Sequence, residues 1–179
     1  MERSANQTEQ SARQGASQAK RALDATIAAS RLDERAWVAQ IGIALDAPEI
    51  GKPVHGYVTW NNSGKTFARK VKPLCHFVFV PKEVATENEL IKTASKGTAV
   101  GNSSIGVLAP NGQYKTLLES QSSIDESDKA KISGTWYIYI WGEITYEDIF
   151  KRPHTTVFCS RRQGATADFT QCPFHNDAD

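Results

Sequence analysis

Two things are scarce in this chain of 179 residues: an excess of charge of either sign, and long apolar runs. Lys and Arg number 21 against 20 Asp and Glu. No long-range field therefore draws the chain to nucleic acid or to an anionic membrane. No stretch of ~20 apolar residues occurs, which excludes a membrane-spanning helix within this sequence. The N-terminus carries no apolar core of signal-peptide type. The first 35 residues lack more. The 4 Trp, 5 Tyr and 7 Phe all follow Ala36, as do the 7 Pro. Before that point the chain is rich in Ala, Gln, Arg and Glu, all good helix formers. The composition thus divides the chain near Glu34–Trp37 into a helical stalk or linker (1–35) and one domain of ordinary size.

Within the stalk, Ala12, Ala16, Ala19, Leu23, Thr26 and Ser30 recur at heptad-like spacing. Only Leu23 is large, so the seam packs weakly and predicts a stalk rather than an autonomous coiled coil.

What is abundant beyond residue 36 is alternation. In Thr135–Glu147, Trp136, Ile138, Ile140, Ile144 and Tyr146 share one face, and Tyr137, Tyr139, Trp141, Glu143, Thr145 and Glu147 share the other. A period of two over that length means a long β-strand. Trp37–Asp46 alternates in the same way. Val54–Trp60 is a second strand, closed by the turn signal Asn61-Asn62-Ser63-Gly64. Val71–Val80 is apolar on both faces, which places it centrally in a sheet. Val84–Lys96 reads as a short helix. Ser104–Leu108 and Gln113–Glu119 are short strands around Pro110-Asn111-Gly112, Ser120–Ser133 reads as a loop, and His154–Arg162 is the last strand. About seven strands with no βαβ rhythm predict an immunoglobulin-like antiparallel β-sandwich over 36–162, with a tail at 163–179. A barrel is the alternative.

Chemistry-bearing motifs are few. Gly64-Lys65-Thr66 is not a phosphate loop, because Thr59 stands where that loop needs glycine. Lys65, Arg69, Lys70 and Lys72 read as a solvated basic strand edge. Cys75 and His76 are neighbours on a strand and point apart. Glu143 and Glu147 lie about 14 Å apart by strand rise, too far to act on one bond. No enzymatic activity is expected, and no cofactor. His154, Cys159, Cys172 and His175 have the residue types of a zinc site, but no short Cys pair nucleates one. A Cys159–Cys172 disulfide tying the tail to the last strand is the simpler reading, with Cys75 a buried thiol. Tyr137, Tyr139 and Trp141 are the best candidates for a partner-binding surface, since contiguous exposed aromatics mark such surfaces. The competing reading is that the Glu83–Gly101 segment or a neighbouring strand covers them.

Leu32–Val38, Asn62–Ala68, Gly142–Phe150 and His154–Cys159, with Cys172 and His175-Asn176, resemble a widespread family of uncharacterised bacterial membrane-anchored proteins. That family combines an N-terminal membrane helix, a short Ala/Gln-rich helix and a β-rich domain. The resemblance spans nearly the whole chain and implies no catalytic residue. The chain departs from it in lacking the membrane helix and in carrying Phe67 where a proline is expected. The first departure points to a soluble piece of an anchored protein. The resemblance and the cysteine pair imply a bacterial envelope location, on the periplasmic side, although the basic residues Arg13, Lys20 and Arg21 would suit the cytoplasmic side. The functional expectation is a non-enzymatic module that binds a protein partner or itself, through the aromatic face or a sheet edge. The alternatives are a metal-binding domain built on the C-terminal Cys and His residues, and a purely structural spacer.

Overall fold

The alternation and turn signals resolve into ten strands and three helices in the computed structural model, which describes residues 2–81, 83, 86–94, 99–102, 104–134, 136–164 and 168–179. In chain order these are α1 (Glu2–Glu34), β1 (Val38–Leu45), β2 (Pro53–Asn62), β3 (Ala68–Val80), α2 (Glu87–Ala94), β4 (Ala99–Asn102), β5 (Ile105–Leu108), β6 (Gln113–Ser123), α3 (Glu126–Ser133), β7 (Tyr137–Glu147), β8 (Pro153–Gln163), β9 (Thr170–Gln171) and β10 (Asp177–Ala178). Thr135 and parts of the Glu83–Gly101 segment lie outside the described residues.

Two antiparallel sheets result. The smaller runs β1-β2-β6. The larger runs β10-β8-β7-β3-β4, with β5 also on β3 and β9 also on β8. β3 is central, as its two apolar faces predict. The strand count exceeds the expected seven for a physical reason. β4, β9 and β10 are too short to show a period, and they are strands only because a longer neighbour accepts them. Ser120–Ser133 is not a loop either. β6 continues to Ser123, and Asp125 caps α3 by accepting from the Asp128 amide at 2.8 Å. The acidic residues Glu126 and Asp128 of this segment form the first turn of α3.

The main core lies between the sheets. Val58 and Trp60 of β2 face Ile138, Ile140 and Ile144 of β7, all fully buried. Trp60 packs edge-on against Phe158 and donates its indole N–H to Thr116 at 2.9 Å. The inner face read from alternation in β7 is therefore the face that enters the core. α1 is different. Its residues from Gln10 to Glu34 are all exposed, and its contacts with the domain lie near its end, where Asp33 pairs with Lys65 and Arg31 sits over Phe150. No helix among the described residues is long and apolar enough to cross a membrane.

Candidate functional site

Three places collect unusual side chains: the outer face of β7, the junction between α1 and the sheets, and the free edge of β1.

The outer face of β7 is covered. Tyr139 is 0 % and Trp141 8 % exposed, and Tyr137 is half-buried. They form a second core with Val78, Val80, Leu90 of α2, Cys159, Cys172 and Phe174. The expectation of an exposed aromatic stripe is corrected here, and the competing reading, cover by the Glu83–Gly101 segment, holds through Leu90 of α2. Alternation tells which residues share a face, and it is silent about what lies over that face. Two pieces lie over it. α2 brings Leu90, its start fixed by Thr86, which accepts from the Glu89 amide at 3.3 Å. The tail brings the disulfide. His76 stacks on the flank of Trp141, with ring centroids 5.3 Å apart. Burial lowers its ability to hold a proton, against the opposing pull of Glu143.

The Cys159–Cys172 disulfide is formed, with the two Cα atoms 5.3 Å apart. Neither sulfur is then a thiolate, so the zinc arrangement of these two with His154 and His175 does not exist. Among the described residues no group of three or more His, Cys, Asp and Glu is placed to hold a metal ion. Cys75 is free and buried, and burial pushes its thiol up to about 12. It is an inert core residue.

The tail also seals the outer edge of β8. β10 pairs with Val157 and Thr156, and β9 with Ser160 and Arg161. Between them, Asn176 accepts from the Cys159 amide at 3.0 Å and donates to the Cys172 and Phe174 carbonyls, each at 2.8 Å. The Cys172 amide donates to the Cys159 carbonyl at 2.9 Å.

The junction holds a buried polar network. Asn62, 0 % exposed, accepts from the Trp37 and Gly64 amides and donates to the Thr66 and Leu108 carbonyls. Gly64 lies so close to the chain entering β1 that a Cβ there would fall on the Arg35 carbonyl and the Trp37 amide. The turn signal at Asn61–Gly64 thus has a second use: it docks the end of the stalk. On the other side, the Tyr146 hydroxyl donates to the Ala36 carbonyl at 3.3 Å and accepts from the Val38 amide at 3.4 Å. Burial pushes that hydroxyl up, so it remains protonated. Tyr146 and His154 are cross-strand partners, with rings 5.3 Å apart. Asp148 accepts from the Phe150 and Arg152 amides at 2.8 and 3.0 Å and meets His154 Nε2 at 3.0 Å. Burial acts to raise its carboxyl, but the Arg152 amide, the His154 ring and the Phe150 amide hold it below the ordinary carboxylate range. Arg35 reaches His154 Nδ1 at 3.4 Å and lies 3.4 Å over the Trp37 ring. Asp148 is 2 % exposed. Arg35 and Asp179 carried no individual signal in the sequence. The spacing Arg35-x-Trp37 is the one local hint that this arginine stacks rather than solvates.

β1 contrasts with β8. It pairs with β2, and among the described residues no strand pairs with its other side. Val38 turns its backbone away from β2: its carbonyl accepts from Thr156 Oγ1 at 2.7 Å and its amide reaches Tyr146. Backbone groups of an antiparallel strand alternate in direction. A bulge between Gln40 and Gly42 resets the phase, and the Asp46 amide then pairs inward with His55. Gln40, Ile43 and Leu45 accordingly turn their backbone groups to the open side. A groove of about 370 Å³ lies at the start of β1, lined by Ala39 and Gln40 on one wall and by Thr156, Phe158, Asn176 and Asp177 on the other. β1 reads VAQIGIAL and carries no charge and no proline.

No family model matches the chain, and no curated protein matches it.

Proposed function

We propose that this chain is a non-enzymatic module of the bacterial envelope. It is an immunoglobulin-like sandwich on a helical stalk that takes an extended strand from a protein partner, or from a second copy, along β1. The carrying observation is the unpaired, uncharged edge of β1 beside a groove. Edge strands that remain solitary usually carry lysine, proline, a bulge or a cover. β1 carries neither charge nor proline; its one such feature is the bulge at Gln40–Gly42, beyond which Gly42–Leu45 keep regular register with β2. Main-chain hydrogen bonds to Gln40, Ile43 and Leu45 would supply affinity, and the groove would select side chains. The disulfide favours an oxidising compartment and hence the periplasmic side. The resemblance to membrane-anchored proteins supports the same location. Tyr137, Tyr139 and Trp141 are left out of the binding surface, because a partner would have to displace α2 to reach them.

The test is site-specific photocrosslinking in cells. A photoreactive residue at Ile41 should give one discrete adduct, and one at the exposed Lys129 of α3 should give none. Gln40→Pro removes an outward amide, and Ile41→Lys adds a charge. With the photoreactive residue placed at Ala39 instead, each should abolish the adduct while the purified variant melts as before. An adduct that survives both substitutions overturns the reading.

A further inference from the structure

The buried network at the end of the stalk contains a nitrogen with two incompatible partners. His154 Nδ1 lies 3.4 Å from Arg35 Nη1 and 3.5 Å from Asp179 Oδ1. Nε2 of the same ring lies 3.0 Å from Asp148 Oδ2. A guanidinium can only donate. To accept from Arg35, Nδ1 must therefore hold its lone pair, and Nε2 then carries the proton donated to Asp148. To bond Asp179, Nδ1 must itself be protonated. The two contacts belong to two protonation states of one ring.

We propose that His154 is a proton-operated latch that couples the stalk helix α1 to the sandwich. In the neutral state the ring accepts from Arg35, the residue that immediately follows α1, and holds the helix end against the sheets. When solvent delivers a proton to Nδ1, the ring turns from acceptor to donor. It keeps Asp148, gains Asp179, and becomes a cation facing Arg35. Arg35 is 8 % exposed, and its buried Nε has no hydrogen-bond partner. Deprived of the His154 acceptor, the guanidinium keeps only the Trp37 face near solvent, and its burial becomes unfavourable. The latch opens and α1 is released at its hinge, Arg35–Trp37.

The groups facing the ring come from four directions. β7 and its turn supply Tyr146, kept neutral by burial, and Asp148. The stalk end supplies Arg35 and the tail supplies Asp179. The turn's own cations, Lys151 and Arg152, are exposed, and Arg152 meets Asp148 through its backbone amide. Lys70 is engaged by Glu147 one position away. None of these replaces Arg35 as the group that the proton would displace. Besides Arg35, the helix end is held by two exposed contacts, Asp33 with Lys65 and Arg31 over Phe150, and Gln10–Glu34 are exposed throughout.

The experiment is an NMR titration of the whole chain from about pH 8 to about pH 5, the range over which histidines change charge. It reads the His154 ring nitrogens and the backbone relaxation of α1 together. The expected result is a ring that passes from the Nε2–H tautomer to imidazolium. The α1 amides near Arg31–Glu34 gain mobility with the same midpoint, and the sandwich resonances stay dispersed. Asp179→Asn, at an exposed position, removes the acceptor of the charged state. It should move both midpoints together. α1 mobility that stays constant while His154 titrates overturns the proposal. So does α1 loosening whose midpoint stays fixed when Asp179→Asn moves that of the ring.

Discussion

The two long edge strands facing the same groove are treated in opposite ways. β8 is closed along its outer side by β10, by Asn176 and by β9, and the disulfide fastens that cover. β1, across the groove, pairs on one side with β2, and among the described residues no strand pairs with the outward backbone groups of Gln40, Ile43 and Leu45. One chain thus spends its last 20 or so residues covering one edge and leaves the neighbouring edge bare. The difference is informative because an exposed edge is an aggregation hazard that folded proteins suppress. The tail covers β8, whereas β1 carries only its bulge, and the proposed strand pairing rests on that contrast. The outer face of β7 belongs with β8: α2 and the tail bury it too.

The most direct way to break the comparison is to remove the aromatic filling under the cover. Tyr139→Ala deletes a fully buried ring and should cost about 3–5 kcal/mol, the range for large aromatics in cores. A urea melt checks it. A loss under about 1 kcal/mol would mean that α2 and the tail rest loosely on β7, and the aromatic face would again be a candidate surface. Next in size is the fastening. Reducing Cys159–Cys172, or the pair Cys159→Ser and Cys172→Ser, should lower stability by roughly 3 kcal/mol for a loop of this length. It should also free the β8 edge, so the variant should self-associate in sedimentation at concentrations where the parent does not. A destabilised variant that stays in the parent's oligomeric state would show that β9, β10 and Asn176 cover the edge without the disulfide.

How much of this was legible follows from the range of each interaction along the chain. The inner face of β7, the centrality of β3 and the disulfide pair are set by short-range pattern, so alternation, apolar runs and cysteine spacing disclose them. The burial of Tyr139 and Trp141 is set by Leu90, within the Glu83–Gly101 segment weighed as a cover, and by Phe174 of the tail, which carries no mark of what it covers. The junction is harder still. Arg35 and His154 are 119 residues apart, and Asp148 looked like one more acidic residue at a strand end. The sequence showed that β1 is uncharged. That it is an edge emerged only from the pairing order.

The smallest effect on stability should come from the bare edge, and it sharpens the comparison most. Ile41 sits in the bulge of β1 with 53 % of its surface exposed. Ile41→Lys gives up little buried apolar area and should change stability by no more than about 0.5 kcal/mol. It places on β1 the kind of charge that solitary edges carry. If β1 and β8 are independent edges, Ile41→Lys abolishes partner pairing in the intact protein and leaves the self-association of the disulfide-free variant unchanged. Sedimentation of the single and combined variants separates the two edges. Suppression of both associations by Ile41→Lys would show that β1 pairs with the uncovered β8 of another copy. The tail would then be the device that keeps two copies apart.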